Sequence, residues 1–346
     1  MGKISLVGKS LEELINICES NGGKKFRAEQ LFNWIYKNNV SDFRSFNNVP
    51  NNLINILKKE YIIHPLNVVR STKSSSQLTN KFLFKTQSGS LIESVLMYEG
   101  KRVTLCLSTQ VGCALDCKFC ATAKMGFIEN LDSGEIIDQY LLASSSIDDS
   151  ITNVVFMGMG EPFLNYANVI KAANLLHEPD GINLGYKRIT ISTAGIVKSI
   201  KQYSKEKQKF KLAISLNGTT NTQRKLIMPV TKNNSLKDLL SASIEYTTLS
   251  NTWLTFEYVL IKGNNDDIAD AKRLIKILSG ISKSKLNIIP YNMTDGNFQR
   301  PDEKQIKLFM SKLKNAPFPV TIRWSKGTDI DAGCGQLVVN EKLLSA

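Results

Sequence analysis

Two periods of hydrophobic positions divide this chain, one helical and one alternating. Up to about Leu57 the spacing is helical. Leu11, Leu14, Ile15 and Cys18 fall on one face, as do Leu31, Trp34 and Ile35 within Phe26–Lys37. Cys18 therefore reads as an ordinary core residue. Pro50 suits the opening of a third helix over Asn51–Lys59. A change of period follows. Lys81–Lys85 and Leu91–Met97 read as strands of a hairpin about the turn Gln87–Ser90, and the polar run Ser71–Asn80 reads as a loop or linker.

From Val103 strands and helices alternate. Strands are expected at Val103–Ser108, Asn153–Met157, Arg188–Ser192, Lys211–Ser215, Trp253–Ile261 and Lys285–Pro290. Helices are expected near Ser133–Ser145, Tyr166–His177, Ile196–Tyr203, Leu236–Tyr246 and Asp266–Leu278. This alternation predicts a parallel α/β sheet, and six strands suit an open partial barrel better than a closed eightfold one. In such folds ligand-binding residues gather at the carboxyl ends of strands. Pro319–Ser325 is a candidate for one more strand. The expected division is a helical domain over residues 1–75, a β-hairpin extension over 76–102 and the barrel over 103–346.

Composition narrows the class. With 42% hydrophobic and 22% charged residues the chain reads as a soluble globular protein. No apolar run reaches the length of a membrane span and no signal-peptide core is visible, so a cytoplasmic location without a membrane partner is expected. The net charge of +13 is uneven: between Gly181 and Lys232 eleven basic residues stand against one acidic residue, Glu206. A polyanion such as nucleic acid is the natural partner, with a solvated helix face over Lys198–Lys211 as the plainer explanation. Lys24, Lys25 and Arg27, at the start of the second helix, offer another place for a nucleic-acid backbone.

The candidate chemistry centres on cysteine. Of six cysteines, Cys113, Cys117 and Cys120 form a C-x3-C-x2-C array, in a chain too large to need disulfide staples. Three thiolates are one short of the four that close an ordinary iron–sulfur or structural zinc site, which leaves a position open for substrate. The open iron of a four-iron cluster could chelate the amino and carboxylate groups of S-adenosylmethionine. Zinc with a fourth ligand from elsewhere is the alternative, although only His64 and His177 could supply imidazole and the C-x3-C-x2-C spacing is not the paired C-x2-C of zinc motifs.

Other candidates sit at or near strand ends. In Met157–Pro162, Gly158 and Gly160 would let backbone approach a ligand, and Glu161 could receive its ammonium group. Ser192, the run Ser215-Leu216-Asn217, and Asn292 could hold ribose, carboxylate or adenine, or be plain loop residues. Cys106 shares the polar face of its strand with Thr104 and Ser108, which makes it a candidate reactive thiol or a filler. Glu93 has apolar neighbours on both faces of its strand. Desolvation there would raise its pKa toward that of a general base, unless the strand is a water-facing edge. Cys334 lies between Gly333 and Gly335, which fits a mobile loop or a close backbone approach.

Together these motifs resemble the RlmN family, dual-specificity ribosomal and transfer RNA adenine C2-methyltransferases of the radical S-adenosylmethionine superfamily. The likeness runs from the Phe26–Lys37 helix to Asp331–Leu337. It rests on Leu105–Cys113, the cysteine array, Gly158–Pro162 and the Cys334 loop. The resemblance implies a radical-SAM partial (β/α)6 barrel with one 4Fe-4S cluster on Cys113, Cys117 and Cys120. It implies two S-adenosylmethionine molecules per turnover, held by Gly160, Glu161, Ser192, Ser215, Leu216, Asn217 and Asn292. Cys334 would carry the methyl group, Cys106 would resolve the adduct through a transient disulfide, and Glu93 would accept the C2 proton. The implied partners are 23S rRNA and tRNA, with the amino-terminal helices binding RNA and a flavodoxin or ferredoxin donating electrons to a monomer. Asn217 stands where the family usually has histidine. Gly333 replaces a usual alanine, which is expected to loosen the loop.

Two other readings stay open: the sibling adenine C8-methyltransferase of 23S rRNA, and a non-enzymatic zinc-stabilised RNA-binding protein. Adenine C2 is an electron-poor carbon without a lone pair, so radical addition and cofactor-borne chemistry suit it. The base must also leave its stack to be reached.

Overall fold

The computed structural model describes residues 3–294 and 296–339. The helical period at the amino terminus becomes α1 (Leu11–Ser20), α2 (Lys25–Phe32) and α3 (Asn51–Glu60). Ser10 caps α1: its hydroxyl accepts from the Glu13 N–H, and the Glu13 carboxylate accepts from the Ser10 N–H. Short parallel strands β1 (Ile4–Ser5) and β2 (Tyr61–Ile62) bracket the three helices. Leu14, Cys18, Leu31, Leu53 and Leu57 lie in the same continuous apolar core as the barrel strands.

An antiparallel meander follows: β3 (Asn67–Lys73), β4 (Thr79–Lys85), β5 (Leu91–Glu99) and β6 (Arg102–Cys106). The hairpin β4–β5 is the expected one. The loop expected over Ser71–Asn80 is corrected, because β3 runs through Lys73 and β4 begins at Thr79, with Lys73 paired to Asn80. β3 is the outermost strand of the sheet and six of its seven residues are exposed, so it has no buried face to produce an alternating pattern.

A small second sheet, β7 (Gln110–Gly112) with β8 (Phe127–Asn130), brackets the cysteine array. Strands this short carry too few positions to show a period. The main sheet resumes with β9 (Asn153–Phe156), β10 (Ile189–Thr193), β11 (Lys211–Ser215), β12 (Leu254–Leu260) and β13 (Ser284–Pro290), added in parallel to β6, and β14 (Val320–Ile322) extends it. Helices α4 (Ser133–Ser145), α5 (Tyr166–His177), α6 (Val197–Lys205), α7 (Asn221–Ile227), α8 (Leu236–Ser250), α9 (Ile268–Leu278) and α10 (Glu303–Leu313) lie between and after the strands. α7 and α10 go beyond the expected set.

Alternation along the strands separates two faces. Leu105, Val154, Ile191, Leu212, Phe256 and Leu286 join the apolar core. Thr104, Thr190, Lys211, Thr255, Glu257 and Asn287 line a cavity of about 660 Å³. Residues from β6 round to β14 share this one cavity, so the sheet curls into an open barrel. The segment 323–326 crosses the open side, where Lys326 Nζ donates to the Tyr98 carbonyl at 2.7 Å.

Candidate active site

The cysteine array occupies the loop between β7 and β8. The Cys113 N–H donates to the Gly126 carbonyl at 2.8 Å, Lys118 N–H to Ile227 at 2.9 Å, and Cys120 N–H to Cys117 at 3.0 Å. Cys117 and Phe119 rest on an apolar patch that includes Ala194, Val259, Ile261, Ile289 and Tyr291, at the carboxyl ends of the barrel strands. Burial pushes the Cys113 thiol up to about 12 and the Cys117 thiol well above its ordinary value, so thiolates here call for a cationic centre. Among the described residues no three thiol, imidazole or carboxylate groups converge on a point where one metal ion would sit. Three thiols on one loop suit a 4Fe-4S cluster, in which each thiolate would bind its own iron.

Beneath this loop lies Arg224, which is fully buried. Its Nε donates to the Leu216 carbonyl at 3.0 Å and its Nη1 to Thr231 Oγ1 at 2.7 Å, while Nη2 reaches the carbonyls of Ser215, at 3.3 Å, and Ala194. Counted by sequence among the basic residues of a charged region, Arg224 is not a surface cation. It ties together the loops after β10 and β11, a role for which α7 places it correctly. A buried guanidinium survives only with its donors satisfied.

The strand-end candidates divide. The Glu161 carboxylate is buried and accepts from the Ala194 N–H at 2.7 Å and the Phe163 N–H at 3.0 Å. Burial raises it to about 6 against those hydrogen bonds. A carboxylate has about four lone-pair sites, which leaves room for an ammonium donor. Gly158 and Gly160 also allow a close approach to the chain itself. A Cβ on Gly158 would lie 2.6 Å from Ser108 Oγ, and one on Gly160, where φ is +95°, 2.5 Å from Gln110 Cβ.

Ser192 and Ser215 are half-buried and, by strand alternation, on the cavity side. The Leu216 side chain is fully buried in the core, its N–H donates to the Glu257 carbonyl at 2.9 Å, and its carbonyl accepts from the Gly218 N–H at 2.7 Å as well as from Arg224. Asn217 adopts a left-handed φ of +50°. Its amide oxygen accepts from the Val259 N–H at 2.8 Å and its Nδ2 faces Met228 Sδ at 3.3 Å, securing the ends of β11 and β12. Asn292 Nδ2 donates to the Cys334 carbonyl at 2.9 Å.

Cys334 lines the barrel cavity, open to the cavity's water yet surrounded by protein. Its loop is held from several sides. The Gly335 carbonyl accepts from the Ala121 N–H at 2.7 Å and the Leu337 carbonyl from Thr122 Oγ1 at 2.6 Å. Gln336 Nε2 donates to the Met293 carbonyl at 2.8 Å, and the Val338 N–H to Glu93 Oε2 at 3.2 Å. A Cβ on Gly333 would lie 2.5 Å from Gln336 Oε1 and 2.9 Å from Asn292 Nδ2. The place of an alanine methyl is thus taken by two amides that hold the loop. The expected loosening is corrected.

Glu93 is 4% exposed, inside the sheet rather than on a watery edge, and its Oε1 pairs with Lys81 Nζ at 3.0 Å. Burial raises its pKa, opposed by Lys81 and the Val338 N–H. Cys106 ends β6, opposite Val95 and Val155. Burial pushes Cys106 up to about 12, with the Cys334 thiolate adding to the rise, and pushes Cys334 up to about 11. The Arg323 guanidinium holds both back. Arg323 and Lys81 escaped the sequence reading because neither belongs to a recognisable motif, and Gln336, inside the Asp331–Leu337 run, was given no role there. Only their partners across the fold mark them.

Two family models match: the Radical SAM superfamily over residues 107–275, and the Ribosomal RNA large subunit methyltransferase N-terminal domain over residues 4–63. A probable dual-specificity RNA methyltransferase RlmN from Clostridium novyi (strain NT) is 42% identical over 334 residues, covering 96% of this chain and 97% of the relative. Another, from Pseudothermotoga lettingae, is 38% identical over 340 residues, 98% of this chain and 99% of the relative. The crystal structure of a radical SAM methyltransferase from Sphaerobacter thermophilus superposes with a TM-score of 0.93 at 38% identity, covering 96% of this chain and 99% of that one.

Thiols set over the carboxyl mouth of a partial barrel suit radical S-adenosylmethionine methyltransferases, and this is the class that the fold and the Sphaerobacter match define. Within it the chain belongs to the RlmN family of dual-specificity RNA methyltransferases. The superfamily implies S-adenosylmethionine and a 4Fe-4S cluster, for which Cys113, Cys117 and Cys120 are the fitting ligands. No helix among the described residues is long and apolar enough to cross a membrane.

Proposed function

We propose that this enzyme methylates C2 of adenine in 23S ribosomal RNA and in transfer RNA, through a methylated Cys334 and a transient disulfide with Cys106. The observation that carries the reading is the Cys334 loop, hydrogen-bonded both to the cysteine loop and to Glu93. Cys113, Cys117 and Cys120 hold the cluster, and Glu161 with the neighbouring strand ends holds S-adenosylmethionine, two molecules being used per turnover. When bound, these cofactors supply the one-electron chemistry that an unactivated aromatic carbon requires.

The chain's own groups do the rest. Cys334 Sγ loses its proton and takes a methyl group by displacement. One hydrogen atom is removed from that methyl group by the one-electron chemistry the cofactors would supply. Its carbon then bonds to adenine C2, joining RNA to protein through a thioether, and the adduct gives up one electron by the same route. Glu93 accepts the C2 proton, a task suited to a carboxylate whose pKa is raised by burial. Cys106 Sγ, its proton lost, attacks Cys334 Sγ, the carbon–sulfur bond breaks, the released carbon takes up a proton, and the RNA leaves with its methyl group as a Cys106–Cys334 disulfide forms. The 1–75 region, with Lys24 and Lys25 exposed and Arg27 half-buried with its guanidinium donating to the Asn48 carbonyl, contacts RNA backbone, and a flavodoxin or ferredoxin delivers electrons.

Nucleoside mass spectrometry tests this, on 23S rRNA and tRNA offered separately to anaerobically reconstituted enzyme with S-adenosylmethionine and a reductant. 2-Methyladenosine in both RNAs is the expected product. 8-Methyladenosine would move the chain to the C8 reaction, and product in one RNA alone would halve the substrate assignment.

A further inference from the structure

The Cys334 loop is covered on one side. Ala121 and Thr122 of the cysteine loop bind its backbone, as do Asn292 and Gln336 from the β13 end and from within the loop. On its other side Cys334 faces the barrel cavity. That cavity runs down the inner face of the strands to their amino-terminal ends, where Arg102 and Lys211 are the first residues of β6 and β11 and Lys285 is the second of β13. At about 660 Å³ it is within the usual range of ligand pockets, about 300–1,000 Å³.

The chemistry of this mouth is specific. Arg102, Lys211 and Lys285 have no ion-pair partner among the described residues. Half-burial and the nearby cations Lys285, Arg102, Arg188 and Lys187 lower the Lys211 pKa. The acidic groups of the same cavity are Glu99, across the ladder from Arg102, and the buried Glu257, whose pKa burial raises and Arg323 and Lys285 hold down. Trp324, 47% exposed, lines the same cavity, with the Arg300 guanidinium 5.0 Å from its ring centroid, and Tyr98 stands nearby. Unpaired cations beside an exposed aromatic are the features by which proteins grip the backbone and stack the bases of single-stranded nucleic acid.

We infer that RNA enters by this amino-terminal mouth, with Arg102, Lys211 and Lys285 holding the phosphates around the extruded adenosine and Trp324 stacking on a flanking base. The inference rests on the reading that Cys334 delivers its carbon to an RNA base. It gives the polar cavity below Cys334 a purpose that the residues proposed to hold the cofactor, at the strand carboxyl ends, do not.

The test is fluorescence anisotropy with a labelled RNA stem–loop carrying an adenosine in its loop, bound to the reconstituted holoenzyme over a range of salt. Arg102→Ala/Lys211→Ala/Lys285→Ala should weaken binding at least tenfold near physiological salt. It should also flatten the slope of log affinity against log salt by about two, since each single-strand phosphate contributes about 0.7. The charge-keeping Arg102→Lys/Lys211→Arg/Lys285→Arg enzyme should recover most of the affinity. Trp324→Ala should lose about five- to a hundredfold, and Trp324→Phe should recover part of it. Unchanged affinity and slope in the triple alanine enzyme, or equal loss in the charge-keeping one, would overturn the inference. Failure of the methylation reading shows separately, as charge-dependent binding without 2-methyladenosine, a result that leaves the mouth standing.

Discussion

Glu93 sits where a carboxylate is expensive to ionise, with Lys81 as its one cationic partner. A proton acceptor must be ionised, so the rate should fall as pH drops through its pKa. Lys81 holds that pKa down. Lys81→Met should therefore move the acid limb of single-turnover RNA methylation to higher pH by about one unit or more, measured as product formed against pH. Glu93→Gln should lose the reaction while still allowing Cys334 to be methylated, visible as an added methyl mass on the intact protein. The two thiols separate in the same way. Cys334→Ala should retain iron and form no methylated RNA, whereas Cys106→Ala should leave RNA covalently attached to Cys334, seen as a slow-migrating band in a denaturing gel. Free product from Cys106→Ala at the normal rate would remove its resolving role. Glu93 was legible because apolar residues flank it along its strand. Lys81 lies in the adjacent strand and was legible only as part of a hairpin, since nothing in a sequence says which residues face each other across a sheet.

At the scale of elements, a buried pair joins the amino-terminal helices to the barrel. His64 Nδ1 lies 2.5 Å from Asp138 Oδ1 on α4, its Nε2 is 3.2 Å from the Val40 carbonyl, and the Leu66 N–H donates to Asp138 Oδ2 at 3.0 Å. Burial alone would lower the His64 pKa, but the hydrogen bond and charge of Asp138 outweigh it and leave the pKa above 6.5. The protonated histidine's contribution is thus complete below the unfolded pKa and is lost as pH rises through the folded one. His64→Ala should destabilise the protein by about 3–5 kcal/mol, because a buried carboxylate loses its partner. Urea unfolding should show this, with the wild-type advantage shrinking at alkaline pH.

The elements themselves were read unevenly. α4 and α5 match their expected bounds because Asp132 and the apolar spacing mark them. β3 was missed because an exposed edge has no buried face. Arg224 was misread because charge alone does not distinguish a solvated cation from one enclosed by four acceptors.

Among the described residues one continuous apolar core runs from the amino-terminal helices through the barrel strands to α10, beside a smaller apolar cluster under the cysteine loop. The amino-terminal helices and the barrel should therefore melt together, as a single calorimetric transition. Two separated peaks would show independent units. The exposed lysines of α6, including Lys198, Lys201 and Lys205, add to the basic surface, but the barrel mouth was beyond the reach of a linear reading because its three cations lie on three different strands, far apart along the chain. One connection reaches further. Ala121 and Thr122 suspend the segment 335–338 from the cysteine loop, so oxygen damage that strips the irons should loosen both at once. Trypsin cleavage at Lys118 and Lys124 should then rise together with alkylation of Cys334. An enzyme that has lost its metal would thereby mark itself for proteolysis.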